Sequence, residues 1–552
     1  RTRSGNIKAL VVVGANEGIL PQDKPAQGLF GDEEKELFRQ KGVELCKVDS
    51  VRQMEERLAI YRNLSRPRAQ LWMSCSMADI EGNLSKPSGV FTKLIEIFPQ
   101  LAVEKDILNR TAEAQTELAC GGMAPLRHLT EALQDTLEGK PLGTPWREML
   151  TWYQQHDDAK LNPIRKGLAF TNKQEALGRQ VADALYQRDV DTALSLSPSR
   201  LERYARCAFS HLIQYGLKPE ERRVFAVAPR EIGDIYHQCL MELTAKLTLP
   251  DVPVTAPESP WMTLTREECR NFVEQTVARE TSNYREGLFQ LGHEEQYRSR
   301  RIADICEKVC WVCVEQVRAG QILSSRFEVP FGRGRVIPPI AVEAEGRQIF
   351  IEGKIDRVDI LRGERVKIID YKTGNENFSK SEAEAGYRLQ LMLYLNACLG
   401  ERTGGEARKP AGVFYFHISE PMVDWSAKEP DAEKLAQEVR KNFKMNGVLV
   451  DDPQVIENIA GDFSGYSEIL PLRNGKDGIS ATGGDTLLSE TEFAALTETV
   501  SQKVTELCRD LAAGKIDIEP MKTRDRSACT YCQYKGICRF DTIFEGCRWR
   551  IV

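Results

Sequence analysis

The sequence predicts an α/β protein with several domains, and three observations support this fold class. Its 552 residues are enough for roughly three or four domains of ~150 residues each. Apolar runs at 9–13 and 71–73 enclose charged segments with helical periodicity, which is the pattern of an α/β unit. Apolar and polar residues alternate through much of 326–371, and helical patterns flank this strand-rich segment on both sides.

The composition is that of an ordinary globular chain, with 28% charged and 41% hydrophobic residues. A net charge of -6 excludes a generally basic protein that coats nucleic acid, so any contact with DNA should be a local basic channel. No apolar run approaches the ~18 residues that a membrane span needs. The first residues also lack the apolar core and cleavage site of a secretory signal. We therefore expect a cytoplasmic protein without a membrane contact.

The N-terminal region should form one strand–helix–strand unit. The run at 9–13 ends at Gly14 and is typical of a strand buried on both faces of a parallel sheet. A charged helix is expected around Asp32–Gln40, a second helix follows, and the next strand should begin near Leu71. The chain starts at Arg1, just before this buried strand, so we expect it to be the C-terminal portion of a longer protein.

The rest of the chain divides by its patterns. We expect a domain at 1–105, a motif-poor helical connector at 106–195, and a second domain at 196–552 that carries a polar, acidic insertion at about 421–490. Ser199 and Glu202 have the spacing of a capping box at a helix start. The other expected elements are helices at 231–246, 265–320, 385–399 and 490–513, and a strand at 411–418.

The segment 349–374 predicts a β-hairpin that brings two carboxylates together. If the hairpin is symmetric about Gly363, Asp356 and Asp370 face each other, because each lies seven residues from that glycine. Directly opposed Cβ atoms are ~4.5–5.5 Å apart, so a hard divalent cation is the natural partner for the two charges. Lys372 follows Asp370 by two residues and should share its face. Two acids and a lysine at one edge suit phosphodiester hydrolysis, although a bare Asp-x-Lys in a strand is more often a solvated ion pair.

The cysteines predict a second site. Fifteen cysteines without a secretion signal do not suggest a disulfide framework. Cys529, Cys532 and Cys538 are closely spaced and need a fourth ligand. From the spacing alone, zinc and an iron–sulfur cluster both remain open. Cys310 and Cys313 lie in a helical pattern and are expected in the core.

The motifs around the hairpin resemble a known family. G-K-I-D-R (353–357), I-I-D-Y-K-T-G (368–374) and Q-L-M-L-Y-L (390–395) are similar to the RecB-type nucleases of the restriction-endonuclease-like superfamily. The resemblance implies that the catalytic residues are Asp356, Asp370, Lys372, Gln390 and Tyr394.

The same resemblance implies a metal site and a cluster. A histidine from an upstream helix, here His237, would bind Mg²⁺ (or Mn²⁺) with Asp356 and Asp370, and the backbone carbonyl of Tyr371 is a further candidate. Members of this family with such a cysteine tail hold a [4Fe-4S] cluster as a structural staple. The cluster ligands would be Cys207, Cys529, Cys532 and Cys538.

The first hundred residues resemble the second motor domain of superfamily 1 helicases, through V-V-V-G-A-N-E-G-I-L-P (11–21) and the segment 55–71. Arg66 falls where that family has an arginine at the nucleotide γ-phosphate, although S-R-P-R replaces T-R-A. No G-x-x-x-x-G-K-[ST] occurs, so this sequence does not support an ATPase or helicase activity of its own. A scaffolding role and a nucleotide-linked role both remain open.

The order of these parts resembles a subunit of the bacterial AddAB-type helicase–nucleases. The resemblance implies a heterodimer with the AddA helicase–nuclease subunit, processing of double-strand breaks for recombinational repair, and cleavage of the 5′-terminated single strand of DNA. Arg298, Arg300, Arg301, Arg333 and Arg335 are candidate phosphate contacts. One alternative is a nuclease-silent scaffold subunit. The other is a short iron–sulfur nuclease of the CRISPR-adaptation type, and the helicase-like residues 1–71 argue against this second alternative.

Overall fold

The structure is a computed structural model, and it divides the chain into two compact units, Arg1–Leu168 and Ala169–Val552. The domain limits expected at 105 and 195 stay predictions. The residues that the structure describes are 7–22, 30–43, 47–78, 84–104, 116, 118, 124–173, 175–186, 193–220, 229–250, 252–284, 287–374, 376–403, 406–420, 432–524, 526–542 and 544–552.

The first unit contains the predicted strand–helix–strand arrangement. Strands β1 (Ile7–Val12) and β2 (Pro67–Met73) pair in parallel, with helices α1 (Asp32–Gln40) and α2 (Asp49–Leu64) between them in the chain. The expectation that β1 is buried on both faces is wrong, since Val11 is 62% exposed. Within the described residues this sheet has two strands, so it lacks the neighbours that would cover both faces.

The part of the predicted connector that the structure describes contains helices, and the connector itself stays a prediction. Leu129, Trp146 and Leu161 pack into a small apolar core among three of its helices. The helices of this region, with the one that precedes them, are α3 (Gly89–Ile97), α4 (Ala124–Leu137), α5 (Thr144–His156), α6 (Leu161–Leu168) and α7 (Arg179–Tyr186).

A six-stranded sheet organises the second unit, in the spatial order β16-β12-β11-β8-β7-β4. The central pair β8 and β11 is parallel, while β7 is antiparallel to both of its neighbours. The six strands are β4 (Ile322–Phe331), β7 (Gly353–Leu361), β8 (Arg365–Lys372), β11 (Lys409–His417), β12 (Asn446–Val450) and β16 (Leu487–Leu488). The smaller strands are β3 (Leu194–Leu196), β5 (Ile340–Ala344), β6 (Arg347–Ile351), β9 (Arg402–Thr403), β10 (Glu406–Ala407), β13 (Gly465–Tyr466), β14 (Leu472–Gly475), β15 (Gly478–Ala481), β17 (Met521–Lys522) and β18 (Arg550–Ile551).

Helices cover both faces of this sheet, because its central strands are apolar on both sides. Ile368 and Ile369 are both fully buried, and they belong to different apolar clusters on opposite faces. Helices α15 (Gln390–Leu399) and α18 (Glu490–Ala512) pack on one face. Helices α10 (Pro229–Leu247), α12 (Arg266–Asn283) and α13 (His293–Ala319) pack on the other. The shorter helices are α8 (Pro198–Arg206), α9 (Ala208–His211), α11 (Pro260–Thr263), α14 (Lys380–Glu384), α16 (Ala432–Lys441), α17 (Pro453–Ala460) and α19 (Lys535–Cys538).

The hairpin of β7 and β8 has the predicted register. Arg357 lies opposite Ile369 and Leu361 opposite Arg365, which is symmetric about Gly363. Gly363 has φ 75°, a left-handed conformation that glycine adopts without steric cost. The predicted symmetry is therefore confirmed.

Two other expectations are corrected. Helix α8 begins after Ser197, whose side chain accepts from the Arg200 N–H, so Ser199 and Glu202 do not form the capping box. The expected insertion at about 421–490 supplies β12 and β16 to the main sheet, so its described part belongs to the domain core; residues 421–431 lie outside the described residues. Among the helices that the structure describes, none has both the length and the apolar composition of a membrane span.

Candidate active site

The main sheet and two helices bring the predicted nuclease residues together. Asp356 lies on β7, and Asp370 and Lys372 lie on β8. The register puts Asp356 beside Asp370, and an Asp356 carboxylate oxygen accepts from the Tyr371 N–H at 2.8 Å. The two acids therefore lie on adjacent strands, one position beyond the pair of Arg357 with Ile369.

Lys372 is held by two oxygen atoms. Its Nζ lies 2.6 Å from Asp370 Oδ2 and donates to Gln390 Oε1 at 2.8 Å. Gln390 is the first residue of α15, so the helix start sets the position of the lysine. The ammonium group is partly exposed and can reach a molecule bound at this edge.

His237 and Asp356 form a candidate metal centre with a residue that the sequence analysis missed. His237 Nδ1 is 3.4 Å from Glu328 Oε1 and 3.7 Å from Asp356 Oδ2. One ligand atom from each of these three residues lies within 4.8 Å of the others. An imidazole and two carboxylates are ligands that suit Mg²⁺ and Mn²⁺, so the residues present fit a divalent cation.

Glu328 lies across the strand pair from Asp356. Phe327 is opposite Arg357 and Val329 is opposite Ile355, which leaves Glu328 facing Asp356. Its φ is 49°, a disfavoured conformation for a non-glycine residue inside a strand. Lys354 forms an ion pair with its other carboxylate oxygen. The sequence signal for Glu328 is one acidic residue in an alternating strand, which does not distinguish it from a surface position.

The electrostatics of this cluster reflect an excess of negative charge. Burial and, after it, the neighbouring Asp370 carboxylate together raise the pKa of Asp356 to about 7. Burial also raises the pKa of Asp370, although Lys372 opposes it. For His237, burial acts to lower the pKa, but Glu328, Asp356 and Asp370 outweigh it and raise the pKa. A bound cation would stabilise all the charged carboxylates.

Tyr394 lies one helical turn after Gln390 and is buried, with its ring 5.9 Å from that of Phe331. Burial raises the pKa of Tyr394, and the carboxylates of Asp370 and Asp356 raise it further. Its phenol is therefore neutral beside the two acids.

The four predicted cluster cysteines also come together. Cys207 stands at the junction of α8 and α9, and Cys538 ends the short helix α19. Burial and, after it, the nearby Cys207, Cys532 and Cys538 together raise the pKa of the Cys529 thiol to about 12. Four cysteine side chains in a partly buried place fit a cationic iron cluster, because its iron ions would stabilise the thiolate form that burial and the neighbouring sulfur atoms disfavour.

The remaining cysteines that the structure describes are free, and Cys310 and Cys313 are buried in the core as predicted. Arg66 immediately precedes β2 in the first unit, and its nucleotide role stays a prediction. Among the candidate phosphate contacts, Arg298 pairs with Glu294 and Arg333 pairs with Glu352.

The fold and this site define a class of protein. Residues 195–539 match the family model of the PD-(D/E)XK nuclease superfamily, and the chain belongs to this superfamily.

The chain is also similar over its whole length to curated AddB proteins, which are named as subunits of an ATP-dependent helicase/deoxyribonuclease. It is 33% identical to the protein of Alkaliphilus oremlandii, 32% to that of Alkaliphilus metalliredigens and 29% to that of Clostridium botulinum (strain Langeland). These alignments cover 100% of this chain and 48%, 47% and 48% of the respective relatives, so the chain spans about half their length. The predicted resemblance to this group is confirmed.

Proposed function

We propose that this chain carries the nuclease of a helicase–nuclease subunit and hydrolyses phosphodiester bonds in single-stranded DNA with Mg²⁺ or Mn²⁺. The observation that supports this most is the convergence of Asp356, Asp370 and Lys372 beside His237 and Glu328. The membership in the PD-(D/E)XK nuclease superfamily supports the same reaction.

In this proposal each residue has a stated task. His237, Asp356 and Asp370 hold the divalent cation, and Glu328 adds a carboxylate to them. A cation held by these residues would polarise a phosphate oxygen and lower the pKa of a bound water. Lys372 orients the attacking water and offsets the charge that develops on the phosphate. Asp370 keeps the lysine ammonium in place, and Gln390 and Tyr394 steady the lysine or the DNA backbone.

We further propose that Cys207, Cys529, Cys532 and Cys538 bind a [4Fe-4S] cluster as a structural staple. Cys207 precedes the hairpin by about 150 residues and the other three follow it by about as many, so the cluster would cross-link the two ends of the nuclease domain. Closing such a long loop removes much conformational entropy from the unfolded chain.

For the whole protein, the names of the relatives support a role in an ATP-dependent helicase and deoxyribonuclease. We propose that the protein acts as a heterodimer with AddA, that it processes double-strand breaks for recombinational repair, and that its nuclease cuts the 5′-terminated strand. The part of the chain around Arg66 would then contribute to the helicase-like body of the protein.

The nuclease assignment is tested with end-labelled single strands, with and without Mg²⁺. The full-length protein is assayed with its partner, whose own nuclease has been inactivated. We expect Lys372→Ala to lower cleavage by about 10³-fold, the loss of one main charge-stabilising group. Lys476→Ala, at an exposed turn, is the matched control and should cleave like the wild type. Undiminished Mg²⁺-dependent cleavage by Lys372→Ala would show that another site, or no site in this chain, performs the reaction.

The cluster is tested by absorbance, since iron–sulfur charge transfer gives a band near ~400 nm and d¹⁰ zinc does not. Cys532→Ser should abolish the band and the bound iron, while Cys547→Ser, a buried cysteine outside the proposed set, should keep both. A colourless wild-type protein with one equivalent of zinc would contradict the proposal.

A further inference from the structure

A buried carboxylate, Glu202, supports the start of the helix that carries Gln390. Glu202 lies on α8, is 7% exposed, and points toward α15. Its Oε1 accepts from the N–H groups of Leu389, at 2.7 Å, and Gln390, at 2.9 Å. These are N–H groups that a helix start cannot satisfy within the helix. Glu202 therefore fixes the first turn of α15 from 187 residues away in the chain.

From Glu202 the contacts continue to the proposed catalytic lysine. Gln390, whose backbone N–H donates to Glu202, uses its side-chain Oε1 to accept from Lys372 Nζ at 2.8 Å. Lys372 Nζ is in turn 2.6 Å from Asp370 Oδ2. Gln390 is thus the one residue between the Glu202 carboxylate and the Lys372 ammonium group.

On its other side, Glu202 contacts Arg206, which is next to the four-cysteine site in the chain. Arg206 Nη2 is 3.6 Å from Glu202 Oε2, and its guanidinium lies 4.5 Å from the centre of the Tyr387 ring. Cys207 follows Arg206 directly and ends α8. A short helix therefore carries the carboxylate at its middle and a proposed cluster ligand at its end.

The groups around Glu202 act on its pKa in opposite directions. Burial raises the pKa of Glu202, while Arg206 and the N–H groups of Gln390 and Leu389 oppose that rise. A carboxylate also interacts favourably with the positive end of the α15 dipole. The two hydrogen bonds from Leu389 and Gln390 therefore hold the helix start, and they are strongest when Glu202 is ionised.

We propose that Glu202 is a positioning residue for the nuclease, which acts through Gln390 to hold Lys372 and which connects the four-cysteine site to the active site. This inference rests on the nuclease function proposed above. Glu202 itself touches neither the metal ligands nor the substrate; its effect on the reaction passes through the start of α15.

The experiment compares Glu202→Ala, Glu202→Gln and Gln390→Ala in the full-length protein with its partner, whose own nuclease is inactivated. A displacement of about 1 Å at a reacting group can lower the rate by about 10²-fold. We expect Glu202→Ala to lower kcat by about 10²-fold and to leave KM for a single-stranded oligonucleotide within about twofold. Glu202→Gln retains an acceptor oxygen without the charge and should give an intermediate kcat.

A double-mutant cycle tests the route through Gln390. If Glu202 acts through Gln390, the double variant should be no slower than Gln390→Ala alone, because the contact to Lys372 is already lost. Independent, multiplicative effects would overturn the proposed route. Asp452→Ala is the matched control, since Asp452 accepts from the Gln454 N–H at the start of α17. It should keep the wild-type kcat.

The outcomes separate this inference from the proposed function. If Glu202→Ala and Glu202→Gln both cleave like the wild type while Lys372→Ala is inactive, the inference is wrong and the nuclease assignment stands. If Lys372→Ala is active, the nuclease assignment fails. The bound iron and the melting temperature are measured for every variant. If Glu202→Ala does not fold, the kcat of Glu202→Gln tests the positioning role. A loss of kcat in folded Glu202→Gln with full iron content supports the positioning role.

Discussion

The two faces of the β7–β8 hairpin differ in how their buried charged side chains are paired. On the face opposite the proposed site, Arg357, Asp359 and Lys367 are all 0% exposed. Asp359 Oδ1 accepts from Arg357 Nε at 2.8 Å, and its Oδ2 lies 2.7 Å from Lys367 Nζ. On the proposed site's face, Asp356 and Asp370 lie side by side with one lysine and a histidine nearby.

The two clusters differ in whether positive side chains compensate the buried carboxylate. Burial acts to raise the pKa of Asp359, but Arg357 and Lys367 outweigh it and lower the pKa to about 2. At Asp356, burial and the Asp370 carboxylate raise the pKa to about 7, because they outweigh His237, the Tyr371 N–H and Lys372, which act to lower it. The internal cluster is complete without a ligand, whereas the site cluster favours an added cation. Aspartate is therefore paired internally on one face of the hairpin, while on the other face it is available to the cation of the proposed function.

The largest expected effect is on catalysis. Asp356→Asn removes a proposed metal ligand and should lower single-turnover cleavage by at least about 10³-fold, or roughly 4 kcal/mol in the barrier. Because the change also removes a like-charge neighbour of Asp370, the metal-free protein should melt at the same temperature as the wild type or higher. A large loss of melting temperature would show that Asp356 is structural like Asp359.

The reverse behaviour is expected for Asp359→Asn. This change leaves Arg357 and Lys367 buried without their partner, which should cost about 3–5 kcal/mol of unfolding free energy. Calorimetry on the purified chain checks this, with Asp477→Asn at an exposed turn as the control. A variant that melts within a degree of the wild type would contradict the structural role.

The pH dependence of stability should differ between the two faces. The folded-state pKa of Asp356 lies above its ordinary value of 3.8, so its contribution is fully present below about pH 4 and is lost as the pH rises toward 7. Without metal, Asp356→Asn should equal the wild type at pH 4 and be more stable at pH 8. Denaturant unfolding between pH 4 and 8 measures this difference, and Mg²⁺ should reduce it.

The smallest expected effect concerns Glu328. Glu328→Gln should weaken Mn²⁺ binding by about tenfold, or roughly 1.4 kcal/mol, because it removes one of the proposed ligand charges. Electron paramagnetic resonance titration of free Mn²⁺ measures this without relying on activity. Glu345→Gln changes another glutamate with positive φ, at the β5–β6 turn, and should bind Mn²⁺ like the wild type. Equal affinity in Glu328→Gln would remove Glu328 from the metal centre.

Much of the hairpin could be predicted because local rules determine it. The glycine turn sets the register, and the register sets which side chains meet, so one segment was enough to predict Asp356, Asp370 and Lys372 together. The helical and strand periods likewise predicted α10 and β11 close to their observed limits, while the helix predicted at 385–399 begins only at Gln390.

Long-range contacts could not be predicted in this way. Glu202 meets the start of α15 through a contact 187 residues apart in the chain, and nothing near Glu202 in the sequence signals it. Glu328 depends on the pairing of β4 with β7 and on an unusual backbone angle. The sequence pattern assigns β12 to an insertion because its few apolar residues stand between polar segments, and only the sheet shows its place.

The positive φ of Glu328 has a consequence for laboratory evolution of this protein. Glycine at position 328 would relieve the disfavoured backbone, a gain of about 1 kcal/mol, while removing the carboxylate beside His237. A selection for heat resistance alone should therefore favour glycine at this position. A selection for both heat resistance and DNA degradation should keep the glutamate. The residue recovered at position 328 therefore distinguishes the two selections.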